Sequence, residues 1–85
     1  MEFTKQLFDL APSLVDDFTV INFTSESSEE RSIRVIDLSG HLISTIELGG
    51  SADQYTLKTN HLAQGLYFVQ VQMGLQIETK KIVKR

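Results

Sequence analysis

Apolar and polar residues alternate along most of this chain in short runs separated by turn signals. The clearest run is Leu62-Ala63-Gln64-Gly65-Leu66-Tyr67-Phe68-Val69-Gln70-Val71. Tyr67, Val69 and Val71 share one face of an alternating strand, with Gln70 and Gln72 on the other. Leu62 is apolar in an otherwise polar connection, placed to plug the end of a core. Gly65 supplies a backbone conformation that a Cβ would resist. A Tyr just inside such a strand either returns its hydroxyl to the preceding loop, as in the tyrosine corner of immunoglobulin-like sandwiches, or simply packs.

The remaining segments read in the same way. Phe3 to Leu10 is a short first strand ended by Pro12, which cannot donate to a ladder. Ser13 to Asp17 is a turn. Phe18 to Phe23 is a strand whose two phases, Phe18 and Val20 against Ile21 and Phe23, predict a bulge or burial on both faces. Thr24 to Glu30 is polar and acidic, a solvated hairpin loop. Ile33 to Asp37 follows as a strand with Ile33 and Val35 inward and Arg34 outward. Asp37-Leu38-Ser39-Gly40 is a turn. In it the Asp37 carboxylate accepts from the backbone two residues on, and Gly40 takes positive φ. Leu42 to Leu48 returns with Leu42, Ile46 and Leu48 in one phase.

Gly49, Gly50 and Ser51 break the pattern. Gln54 to Leu57 is a short strand with Tyr55 and Leu57 inward, and Lys58 to Gln64 crosses to the Leu62 segment. Gly74 turns a hairpin into the last strand, Ile77 to Val83, with Ile77, Thr79 and Val83 in phase and Ile82 out of phase. About seven short strands, turn signals every 8–12 residues or so, and no helical period predict an all-β chain. The architecture expected is an immunoglobulin-like antiparallel β-sandwich with Greek-key connections.

Length and charge narrow the function classes. Eighty-five residues make one domain over 1–85. Such a chain buries roughly 60–65% of its unfolded surface and has a stability on the order of 4–13 kcal/mol. There is no cysteine, hence no disulfide and no thiolate metal site. A net charge of -3 and a pI near 5.2 argue against nucleic acid, whose phosphates call for clustered Lys and Arg. No apolar run reaches the roughly 18–20 residues that span a membrane. Met1-Glu2 is not followed by a signal-peptide core. The domain therefore either stays in the cytoplasm or is a piece cut from a longer precursor.

Catalytic chemistry finds little support. His41 and His61 are the only histidines, and both fall in or beside turns. The Asp37 to His41 spacing matches no metal or catalytic motif. Nothing resembles a nucleophile elbow, and the five glycines form no phosphate cradle. No cofactor is expected. Asp16 and Asp17 offer two adjacent carboxylates, well short of the roughly 6–8 oxygens of a calcium site, and read as residues that keep a turn wet. The acidic stretch Glu26 to Glu30 reads as a solubilising loop. Lys80, Lys81, Lys84 and Arg85 make up half of the chain's eight Lys and Arg. On a terminal strand they either discourage edge-to-edge pairing or form a docking handle for an acidic partner. A terminal strand with exposed backbone groups also suits recognition by strand addition.

Taken together, Asp37-Leu38-Ser39-Gly40 before an apolar strand, the Leu62 to Val71 run, Gly74, and Lys80-Lys81-Ile82-Val83-Lys84 at the end resemble one family. It is the type A C-terminal sorting domain of cargo proteins of the type IX (Por) secretion system of Bacteroidetes. The resemblance runs from about Leu10 onward. The family usually opens with Pro-Asn-Pro after its first strand, where this chain has Leu10-Ala11-Pro12, and Ile36 sits where an aromatic is common. The resemblance implies an immunoglobulin-like sandwich and a non-enzymatic role.

In that family the domain rides at the C-terminus of a larger precursor that enters the periplasm by its own N-terminal signal. The outer-membrane translocon recognises it. In many members a sortase-like cysteine protease then cuts just before it, leaving the cargo on the cell surface or secreted. Carried over by position, the recognition residues are Asp37, Gly40, Leu62, Gly65, Tyr67, Lys80, Lys81, Val83 and Lys84. The partners implied are translocon and shuttle proteins, the protease and an N-terminally attached cargo. Gly40, Gly65, Leu62 and Tyr67 also have complete structural explanations, so the lysines are the first contact residues to test. The rival reading is an adhesive or carbohydrate-binding sandwich, which would need an exposed aromatic platform. Tyr55 and Phe68 are its candidates, with Tyr55 expected inside.

Overall fold

A computed structural model describes residues 6–24 and 28–85. Eight strands follow one another: β1 (Phe8–Ala11), β2 (Leu14–Val15), β3 (Phe18–Phe23), β4 (Arg31–Asp37), β5 (Leu42–Leu48), β6 (Gln54–Lys58), β7 (Gly65–Met73) and β8 (Gln76–Lys84). They form a three-stranded sheet in the order β1-β3-β6 and a five-stranded sheet in the order β2-β8-β7-β4-β5. All pairings are antiparallel except β2 with β8. The chain is all-β and has the two-sheet arrangement of a β-sandwich, as the alternation predicts.

The two hairpins β4–β5 and β7–β8 lie side by side through the β4–β7 ladder, while β6 crosses to pair with β3 in the other sheet. The core is the alternate set of side chains between the sheets. Ile33 and Val35 come from β4, Tyr67, Val69, Val71 and Met73 from β7, and Ile82 from β8. Phe8, Ile21 and Leu57 face them from β1, β3 and β6, and Val15 of β2 joins them. Leu62 and Tyr55 pack against this cluster, half-buried, in the positions expected of them.

Three expectations need correction. The described part of the first strand spans Phe8–Ala11, not the whole of Phe3 to Leu10, and Phe3 lies outside the described residues. The segment expected as a turn at Ser13 to Asp17 contains β2, whose Val15 is fully buried. A two-residue parallel pairing has no period to read in a sequence.

In β5, Leu42 leaves the phase of Ile46 and Leu48, because the register shifts between Val35 and Ile36 and sets Leu42 opposite Ile36 on the outer face. In β8 the two phases are as expected, and it is the Ile82 phase that faces inward. Ile82 is fully buried, while Ile77 and Val83 are exposed. The cause lies at the rim of the sandwich, where the backbone N–H groups of Leu7 and Phe8 donate to Glu78 Oε1 at 2.8 and 3.3 Å. Those donors call for an acceptor below them, so β8 turns Glu78 inward and its neighbour Ile77 outward. In β3, Thr19 and Ile21 are buried, and the Thr19 hydroxyl donates to the Pro12 carbonyl at 2.7 Å.

Candidate functional site

The motif residues fall into three places. The first is the corner where the chain enters β7. The Tyr67 hydroxyl donates to the Ala63 carbonyl at 2.8 Å, four residues upstream, so the tyrosine corner holds. Gly65 has φ +149°, and a Cβ built there would meet nothing within 4 Å. The glycine is therefore required by backbone conformation alone. Leu62 is tied to Thr59 by its N–H at 3.0 Å, and the Thr59 hydroxyl in turn donates to the Asp16 carbonyl at 3.1 Å.

The second place is the β4–β5 turn. The Asp37 carboxylate accepts from the Ser39 N–H at 2.9 Å and the His41 N–H at 2.8 Å, and the His41 ring lies 3.4 Å away. The His41 N–H is the main reason the Asp37 carboxyl sits below its ordinary value; desolvation opposes it, and the His41 ring and the Ser39 N–H add smaller lowering contributions. Gly40 has φ +89°. The predicted Asp37 contact two residues on is present, and the His41 contact extends it.

The third place is β8. Its C-terminal end is not a free edge. β7 pairs with it along its whole length, and β2 covers its last residues, with the Val83 and Arg85 N–H groups donating to Ser13 and Val15 carbonyls at 2.8 and 3.0 Å. The basic residues divide between two faces. Lys80 points inward and sets its ammonium 5.6 Å from the centre of the Phe8 ring. The Lys84 ammonium donates to the Asp16 carbonyl. Arg85 grips the Asp16 carboxylate at 2.6 and 3.2 Å. Lys81 and Val83 lie on the outer face of the five-stranded sheet. Among the described residues, no hydrogen bond or ion pair reaches the Lys81 ammonium. The lysines expected to be uninvolved in packing are thus unequal: Lys80 and Lys84 are held by the fold, and Lys81 is not.

Sequence reasoning missed Asp16 as the anchor of the C-terminus. Its partners stand 68 and 69 residues away, and no local pattern connects them. It also missed Arg31, which is buried, donates to the Glu29 and Gly50 carbonyls at 2.7 and 2.8 Å, and stacks 5.2 Å over Phe23. Arg31 ties the loop before β4 to the loop after β5. Glu26, and with it the start of the acidic stretch, lies outside the described residues.

For the rival reading, Tyr55 is half-buried as expected, and Phe68 is half-buried between Ile36 and Lys81. Among the described residues the exposed aromatic is Phe18, beside a shallow hollow lined by Asp17, Thr56, Lys58 and Asn60. Among the described residues no three His, Asp or Glu side chains gather as a metal-binding group, and no helix is long and apolar enough to cross a membrane.

No curated protein matches the chain. A family of known role does, and it is a sorting-signal family and not a catalytic one. The match to the secretion system C-terminal sorting domain covers residues 12–85, from the proline before β2 through β8, and the chain belongs to that family of type IX secretion sorting domains.

Proposed function

We propose that this chain acts as a non-catalytic address that directs an N-terminally attached cargo through the type IX translocon across the outer membrane. The domain forms the C-terminal part of a longer precursor, and residues 1–85 act as one unit. The precursor passes through the periplasm and meets translocon and shuttle proteins through β8 and its lysines. A sortase-like cysteine protease then removes the domain from the cargo, which ends on the cell surface or in the medium. The observation that carries this reading is the family match extending through the whole of β8. Lys81 supports it, as the one motif lysine that projects from the fold without an internal partner among the described residues.

The test is export of a reporter carrying Lys80→Ala with Lys81→Ala. The double variant keeps a cooperative unfolding transition, because Lys80 loses only its contact over Phe8 and Lys81 has no partner among the described residues, and it loses export with the outward Lys81. Normal export by the folded double variant would sink the assignment of β8 as the docking element. Mass spectrometry of the exported reporter reads removal directly. Cargo severed just before the domain is expected, and full-length fusion on the surface would show retention.

A further inference from the structure

The outer face of the five-stranded sheet is divided into two halves. At the end nearest the β4–β5 turn, Leu14, Val83 and Leu66 stand opposite one another across β2, β8 and β7. In the next row, Lys81 faces Phe68, Phe68 faces Ile36, and Ile36 faces Leu42. Residues opposite each other on one face have Cβ atoms about 4.5–5.5 Å apart. The six apolar side chains are therefore one contiguous surface. Leu14, Leu42 and Val83 keep 48%, 57% and 41% of their area exposed. The following row is polar, with Thr79, Gln70, Arg34 and Thr45. Contiguous apolar patches on soluble monomers commonly mark interaction sites.

We infer that this apolar half-face is the docking surface for a protein partner whose contact region is apolar and carries a carboxylate placed over Lys81. The inference rests on the sorting reading and deepens it by naming the face. Charge selects the occupant. Lys81 is the only charged residue in the two rows, and Asp37 beside them already spends its carboxylate on Ser39 and His41. A second copy of this chain would offer the same uncompensated lysine, like charge against like. An anionic lipid surface would attract Lys81 but repel a molecule of net charge -3. A protein surface with an apolar centre and one acidic group matches what is present. Such an interface needs no free strand edge, which fits the cover that β2 and β7 place on the end of β8.

The test compares exposed substitutions inside and outside the patch in a reporter fused ahead of residues 1–85. Leu66→Thr, Val83→Thr and Lys81→Glu alter the patch, while Phe18→Thr and Leu75→Ser remove exposed apolar groups elsewhere. Export of the patch variants should fall at least about tenfold, the consequence of losing roughly 1.4 kcal/mol of docking free energy. Their melting temperatures should stay near wild type, and the two outside variants should export normally. Folded patch variants that export like wild type would overturn the assigned face while leaving the sorting role intact. Wild-type reporter retained in the periplasm would overturn both. Sedimentation of the isolated chain as a dimer that Val83→Thr dissociates would replace the partner with a second copy and also overturn the inference.

Discussion

The corner at the start of β7 and the strand β8 carry the family's motif residues in opposite ways. At the corner, each residue has its task inside the fold. Tyr67 spans four residues to a carbonyl, Gly65 takes a φ that other residues resist, and Leu62 closes the core. In β8, neighbouring residues face different worlds. Lys80 and Ile82 turn inward, and Lys81 and Val83 turn out to solvent. The difference shows that a motif is not one kind of signal. A residue that recurs in a family because the sheet cannot form without it looks, in sequence, the same as one that recurs because a partner touches it. Separating them takes the geometry. On that geometry the corner serves the fold, and the outward half of β8 is the part available for the recognition proposed above.

The contrast is most sharply tested by breaking the corner. Tyr67→Ala leaves a cavity and an unmet Ala63 carbonyl, a loss of about 3–5 kcal/mol. In a domain of this size each kcal/mol lowers Tm by about 4–8 °C, so calorimetry should find the variant at or near unfolding. Tyr67→Phe loses only the hydroxyl contact, about 1 kcal/mol. Equal melting of both variants and wild type would remove the corner from the account. Gly65→Val comes next. A Cβ there meets no neighbour, so its cost is the backbone conformation, about 1–3 kcal/mol. An unchanged denaturant midpoint would contradict that.

Smaller effects probe β8 and the turn. Lys80→Ala should cost about 0.5–1 kcal/mol through the lost contact with Phe8, whereas Lys81→Ala should leave urea unfolding unchanged. Equal losses from the two would erase the inside-outside division. Asp37 gives the smallest effect, and its sign follows from the lowered pKa. A carboxyl held below its ordinary 3.8 stabilises the fold above that pH, and the contribution is lost as pH falls through the folded value. Asp37→Asn should flatten the acid side of the stability profile below about pH 4, with its small loss of stability seen at neutral pH and vanishing in acid. An unaltered acid limb would show that the turn contacts do not persist in solution.

What was legible in the sequence was what is local. The Asp37 turn closes within four residues, the Tyr67 contact spans four, and the alternation of β4 and β7 repeats every two. What was not legible depends on residues far apart in the chain. Asp16 meets Lys84 and Arg85 only because β2 lies beside the end of β8. Which of the two phases of β8 faces inward was likewise not legible from hydrophobicity alone. At the rim, donors on Leu7 and Phe8 require Glu78 inside, and of the apolar residues left on the outer face of β8 only Val83 joins the exposed patch. Arg31 was missed because a charged residue at a strand end reads as solvated, yet loop carbonyls and Phe23 receive it.

The central claim is that these residues suffice to route a cargo. A periplasm-targeted fluorescent reporter fused ahead of residues 1–85 tests it in two strains, one with an intact type IX system and one lacking the translocon. Reporter on the surface or in the medium of the intact strain alone is the predicted result. Reporter held in the periplasm of both strains, with the domain folded, would contradict it.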